Sequence, residues 1–351
     1  MEDDNNVEQD LKNLQFLGIR GILQETFKLI HQWRRIFTHI TLLFILPLSL
    51  LVLANSGISN FFLQKISHDQ QILNNTQKST PEFLKLHDLV SSERIFHALS
   101  TLAFFVSSAA FSLLSTSAIV FTVASVYAAR AVSFKHVTAA VPKLWRRLLL
   151  TFVCVLAGIF AFNFVALSVL FLVPVVAVVI YGPDDGSFSA GIEMILFLFI
   201  MFYCAAAWYL MSIWGLSSVV SALELDCCGF KAMAKSKALV EGRMRMVLKL
   251  LALLNLPLVV VQFVFYYLVV QSATTGAVGR GILGIVWVLL FLVLYLVKLV
   301  AETVLYFVCK SYNHESVDKS ALSDHLQGYL MAEYVELKVE DDVQLQKLQV
   351  V

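Results

Sequence analysis

The chain has 351 residues, of which 59% are hydrophobic and 15% charged, with a formal net charge of +1. That balance excludes an ordinary soluble domain, whose helices and strands alternate apolar with polar faces, and it offers no basic excess for nucleic acid. Runs of 18 or more residues almost free of charge mark membrane spans instead.

The chain opens on the acidic Met1-Glu2-Asp3-Asp4, with no short apolar core ahead of a small-residue cleavage site. The first span is therefore expected to be an uncleaved anchor. Residues 1–35 read as a cytoplasmic N-terminal segment. Within it, Ile19, Ile22, Leu23, Phe27, Ile30 and Trp33 follow helical spacing, while Gln24, Glu25, Lys28 and Gln32 lie elsewhere. This pattern predicts an amphipathic interfacial helix over 11–35. The membrane domain is expected over 36–309, with spans at about 36–53, 95–129, 148–180, 191–223, 247–270 and 281–309. A bilayer core of about 30 Å needs about 20 helical residues. Three of the spans exceed 30 residues, so they must tilt, kink or extend beyond the lipid, and Pro174 supplies a kink in the third. Their continuous apolarity favours helices over the alternating strands of a barrel.

Between spans, 54–94 reads as a polar outer loop that holds the sequon Asn74-Asn75-Thr76, which makes Asn74 a glycosylation candidate. The next connection, 130–147, carries Lys135, Lys143, Arg146 and Arg147 without an acid. Tyr181-Gly182-Pro183-Asp184-Asp185-Gly186 has the composition of a tight turn. Residues 224–246 have helix-forming composition between Gly229 and Gly242, with Lys231, Lys235, Lys237, Arg243 and Arg245. A basic segment thus precedes spans one, three and five. Aligning Phe134-Lys135 with Phe230-Lys231 brings Arg147 onto Arg243, which reads either as an internal duplication or as the shared composition of positive-inside loops. Residues 310–351 form a polar tail.

Of the 26 Lys and Arg residues, 19 lie in 1–35, 130–147, 224–246 and 310–351, against five in the three intervening loops. Positive residues stay on the cytosolic side, so both termini are expected there. The sequon then falls on the lumenal or extracellular side, where glycans are added. The basic segments are expected to lie on the anionic cytosolic leaflet. The host membrane on this reading is the endoplasmic reticulum, another endomembrane or the plasma membrane.

Few residues carry chemistry. Lys298 and Glu302 share one face of the sixth span, as either a substrate or proton path or a neutralised pair whose lysine snorkels to the headgroups. Ser108, Ser112, Ser115 and Thr122 occupy a narrow arc of the second span, with Thr101 on the same line. Such an arc either lines a polar path or lets helix backbones approach closely. Cys227, Cys228 and Cys309 lie at the cytosolic ends of spans, as palmitoylation candidates, whereas Cys154 and Cys204 read as apolar filler. Glu224 and Asp226 are expected to pair with Lys231 or Lys235. There is no His-x-x-x-His pair, phosphate-cradling loop, dinucleotide fingerprint or nucleophile elbow, so no enzyme chemistry, cofactor or metal is expected.

Several stretches resemble a plant family of uncharacterised multi-pass transmembrane proteins. The resemblance rests on Gly21-Ile22-Leu23-Gln24-Glu25, Pro47-Leu48-Ser49, and Lys143-Leu144-Trp145-Arg146-Arg147-Leu148 with Thr151. It continues in Val220-Ser221-Ala222-Leu223-Glu224 with Gly229, Ala232-Met233, Lys235-Ser236, Leu239 and Gly242, and in Tyr306-Phe307-Val308-Cys309-Lys310-Ser311. The pattern of Glu224, Gly229, Ala232 and Ser236 is also similar to one in the membrane domain of some bacterial glycerophosphodiester phosphodiesterases. Neither resemblance implies an activity, and the phosphodiesterase catalytic domain has no counterpart. The expectation is an all-α, six-span bundle with basic amphipathic cytoplasmic helices. It would act as a non-enzymatic membrane component in endomembrane organisation or trafficking. The alternatives are a secondary transporter of a small solute and, third, a lipid-modifying enzyme.

Overall fold

The computed structural model describes residues 16–75, 81–128, 134–181, 186–224, 227–271 and 277–313, and their regular structure is helical throughout. The acidic first residues, the centre of the 181–186 turn, Asp226 and the tail beyond 313 lie outside the described residues. Helix α1 is Ile19–Gln32 and α2 is Arg34–Ile40. One widened turn, π1 (Thr41–Ile45), then leads into α3 (Leu46–Asn75). The long helices α4 (Pro81–Tyr127), α5 (Phe134–Tyr181) and α6 (Gly186–Leu223) follow. After them come the short α7 (Phe230–Glu241), α8 (Met244–Phe265) with its widened end π2 (Tyr266–Gln271), and α9 (Ala277–Tyr312). Among the described residues six segments are long and apolar enough to cross a membrane: Arg34–Asn75, Phe83–Tyr127, Phe134–Leu172, Glu193–Leu223, Met244–Gln271 and Val278–Tyr312. The all-α six-span expectation is met.

The helices run further than hydropathy alone indicates. Most of the expected outer loop 54–94 is helical, because α3 continues to Asn75 and α4 starts at Pro81. No glycine or proline interrupts 58–80, and Pro81 stands at the first helical position, where its missing N–H has no partner to lose. Polar side chains couple the two extensions. Lys65 Nζ lies 2.6 Å from Glu93 Oε1, Arg94 donates to Gln70, and Ser59 Oγ lies 3.2 Å from His97 Nε2. Asn74 is exposed, one residue before the end of α3. Likewise 134–147 is the first part of α5, which passes unbroken through both Pro142 and Pro174 to Tyr181.

Helix α7 begins directly after Gly229 and ends directly before Gly242. Gly229 has φ +60°, a conformation that side-chain-bearing residues rarely adopt. At Gly242 the requirement is space, because a Cβ there would stand 2.6 Å from the Tyr312 ring. Both α5 and α7 start at the aligned phenylalanine, but the chain breaks at Gly242-Arg243 while α5 runs on through Arg147. Among the described residues the N-terminal amphipathic helix covers Ile19–Gln32, and the 11–15 part of the expected stretch lies outside them. The helix buries Ile22, Thr26 and Leu29 within the protein and leaves Phe27 56% exposed.

The chain divides into two compact units. One comprises 26–119 and 252–301. Its apolar core is Leu53, Leu258, Val261, Phe265 and Phe291, with Trp287 and Tyr295 packed against it. The other comprises 1–25, 120–251 and 302–351. There α6 packs against α5 and α7, and the buried set includes Leu144, Leu148, Leu216, Val220, Leu239, Val304 and Phe307.

Candidate functional site: the polar junction around Glu224

The densest set of polar contacts lies in the second of these units, where α6 ends, α7 begins and the basic end of α9 arrives. Glu224 follows the last residue of α6. Its Oε1 accepts from Tyr306 Oη at 3.0 Å and from Lys310 Nζ at 3.3 Å. Lys310 Nζ also lies 3.2 Å from the Tyr306 oxygen. Tyr306 and Lys310 are one helical turn apart on α9, so one face of that helix presents both donors to one carboxylate. The cation on Glu224 is thus Lys310, not Lys231 or Lys235 as local spacing predicts. Asp226 is outside the described residues.

The backbone at this junction is held as firmly. Arg147 Nη2 donates to the Glu224 carbonyl at 2.5 Å, an acceptor at the end of α6 that the Cys227 N–H also reaches, at 3.4 Å. Gly229 N–H donates to Thr151 Oγ1 at 3.0 Å, Thr151 Oγ1–H to Ser221 Oγ at 2.7 Å, and Ser221 Oγ–H to the Arg147 carbonyl at 3.4 Å. This order uses each hydroxyl proton once. Thr151, Ser221 and Ser236 are fully buried, and Ser236 Oγ donates to the Ile213 carbonyl at 2.6 Å, fastening α7 onto α6. Ala232 is fully buried in the same face of α7. The pattern Glu224, Gly229, Ala232, Ser236 is therefore a joint between helices. It holds a carboxylate, an ammonium and a phenol that satisfy one another.

A second tie lies at the α7–α8 turn. Arg243 Nη1 donates to the Leu17 carbonyl at 3.1 Å, and its guanidinium stacks 4.4 Å above the Tyr312 ring. Asn313 Nδ2 donates to the Leu239 carbonyl at 3.1 Å. Arg147 and Arg243, the pair matched by the repeat alignment, each serve a backbone carbonyl.

The remaining candidates are dispersed. Glu302 is 7% exposed, and its Oε1 lies 3.9 Å from where a Gly215 side chain would begin, so α6 approaches α9 there because it carries no side chain. Lys298, one turn earlier, is half-buried with its ammonium 5.9 Å from the Tyr295 ring centre. In the serine arc, Thr101, Ser108 and Ser115 donate to carbonyls of their own helix, and Ser112 Oγ lies 2.9 Å from Tyr295 Oη. Thr122 is fully buried. An open cleft of about 420 Å³ in the other unit is lined by apolar residues including Leu50, Phe265, Gly281, Gly284 and Ile285, none of them from the serine arc. Cys227 and Cys228 are partly exposed, whereas Cys309 is buried. Of these three thiols, only the first two offer surface in this fold. Among the described residues no three His, Cys, Asp or Glu side chains group as a metal site.

No curated protein and no solved structure is similar to the chain. A family profile does match, over residues 7–348, and its extent takes in every residue of the Glu224 junction and both sets of spans. The chain belongs to the family described as Domain of unknown function (DUF8558).

Proposed function

We propose that the protein is a non-enzymatic, multi-pass membrane component with both termini in the cytosol, acting in endomembrane organisation or trafficking. The observation that carries this reading is the use made of the polar residues of α5, α6, α7 and α9. Arg147, Thr151, Ser221, Glu224, Ser236, Tyr306 and Lys310 bind helix to helix. Around this joint, α7 and the start of α8 expose Lys231, Lys237, Arg245 and Lys249. Each adds about 1 kcal/mol of attraction when held near an anionic leaflet.

A secondary transporter is the second reading. Buried Glu302 and neighbouring Lys298 within a span favour it, since ionisable residues in membranes commonly mark ion paths. One rescue experiment separates the two. A cell line lacking the protein is complemented either with Lys298→Met/Glu302→Gln or with Lys231→Gln/Lys237→Gln/Arg245→Gln/Lys249→Gln. Membrane morphology and cargo delivery are scored at matched expression. Rescue by the first variant and failure of the second support the membrane-organising role. The reverse outcome overturns it in favour of transport.

A further inference from the structure

Helix α8 and its widened end carry a polar side chain that this fold leaves unanswered. Between Lys249 and Gln271 the polar residues are Asn255, Gln262, Tyr266 and Tyr267. Tyr266 Oη donates to Asn60 Oδ1 at 3.2 Å, and Asn255 is half-buried and engaged. Gln262 is exposed and makes no hydrogen bond to any described residue. It stands two residues from the midpoint of that stretch, about 3 Å along the axis. Its neighbours Val259 and Phe263 are each 61% exposed, as lipid-facing residues of a span are.

In water an exposed glutamine needs no explanation. In hydrocarbon an amide without partners costs several kcal/mol. The side chain is also too short to escape. The headgroups lie about 15 Å from the centre of a bilayer core about 30 Å thick, beyond the reach of a glutamine. A lipid headgroup therefore cannot serve as its partner.

We propose that Gln262 pairs with Gln262 of a second copy of this chain, across a two-fold axis along the membrane normal. A carboxamide carries both an acceptor and donors, so under two-fold symmetry it is its own complement. Copies inserted in the same orientation bring α8 against α8 in parallel. Val259 and Gln262, three residues apart and both exposed on α8, lie side by side on that face, so a valine of each copy packs beside the amide pair.

The test is made on the full chain in membranes, with the five native cysteines replaced by serine or alanine. Under mild oxidation Gln262→Cys is expected to give a covalent species of twice the monomer mass. Val260→Cys, 49% exposed but on the far side of the helix, is expected to give none. Energy transfer between two tagged copies supplies a readout that does not depend on cysteine. There Gln262→Leu is expected to weaken association about tenfold, the loss of two interhelical hydrogen bonds in a membrane. A monomeric wild type, an association unchanged by Gln262→Leu, or a cross-linked product of some other mass would each overturn the proposal.

Discussion

Replacing Thr151 by valine removes one oxygen from the Glu224 junction and keeps the shape of the side chain. Thr151 is fully buried, and its Oγ1 is the acceptor for the Gly229 N–H at 3.0 Å. Gly229 is itself buried in a left-handed turn, so its donor has nowhere else to turn. Leaving a buried donor unsatisfied costs about 1–3 kcal/mol. Ser221 loses the proton it receives at 2.7 Å but keeps the Arg147 carbonyl as its own acceptor, so that loss is smaller. A total near 2 kcal/mol lowers the melting temperature by roughly 4–8 °C, on the scale of about 2–4 °C per kcal/mol for a domain of about 150–250 residues. The assay is thermal unfolding of purified protein in detergent, followed by tryptophan fluorescence. Thr151→Ser keeps the oxygen and gives up a methyl group, about 1 kcal/mol, and is expected to melt between wild type and valine. A valine variant as stable as wild type, or a serine variant as unstable as valine, would refute the assignment of Thr151 as the Gly229 acceptor.

Gly229→Ala should lower stability by about 1–2 kcal/mol in the same assay, from its left-handed backbone. Adding Cys154→Ala should recover only the part due to crowding, since the cysteine sulfur lies 3.1 Å from the new Cβ. Lys310→Met leaves Glu224, 16% exposed in its side chain, with one phenol, and should cost about 1–3 kcal/mol. Glu224→Gln/Lys310→Met should be milder than Lys310→Met alone, and a double variant worse than the single would contradict the pairing. In an acyl-exchange assay on folded protein, hydroxylamine-sensitive label should vanish with Cys227→Ser/Cys228→Ser and be unchanged by Cys309→Ser. Label lost with Cys309→Ser would show that α9 does not hold that thiol buried.

The spans were legible because lipid imposes a composition that nothing else in a chain of this length needs. Their ends were not, for a physical reason. Hydropathy marks where the solvent changes, whereas a helix stops where its backbone loses partners. Residues 58–75 are polar, yet Lys65, Gln70, Glu93 and Arg94 supply cross-helix partners that keep α3 and α4 helical well past the apolar stretch. The same distinction explains Cys309. Its place at the end of an apolar run reads as juxtamembrane, but Ala301–Cys309 is the most deeply buried part of α9. The Glu224 pattern was visible as a spacing, while its partners, Arg147 at 77 residues' separation and Lys310 at 86, lie far outside any local window. Gln262 carried the opposite signal. A single amide in an otherwise apolar span belongs to no motif, and only its exposure beside the engaged Asn255 and Tyr266 sets it apart.

The most motif-like residues of the chain are thus the ones most fully used in folding. Inside a membrane, burial supplies little difference between the right helix partner and the wrong one, because lipid tails are as apolar as leucine. Directional contacts must supply that difference, and an unsatisfied donor in a misplaced helix is penalised by kilocalories. The hydroxyl chain from Gly229 to Arg147 and the paired donors on Glu224 do this for α5, α6, α7 and α9. On the proposed reading, partner recognition falls to surfaces outside the joint, namely the exposed lysines and arginines of α7 and early α8 and the α8 face that carries Gln262. Substitutions in the first group should fail to restore membrane morphology at matched expression while leaving the melting temperature unchanged, which is the opposite signature to Thr151→Val.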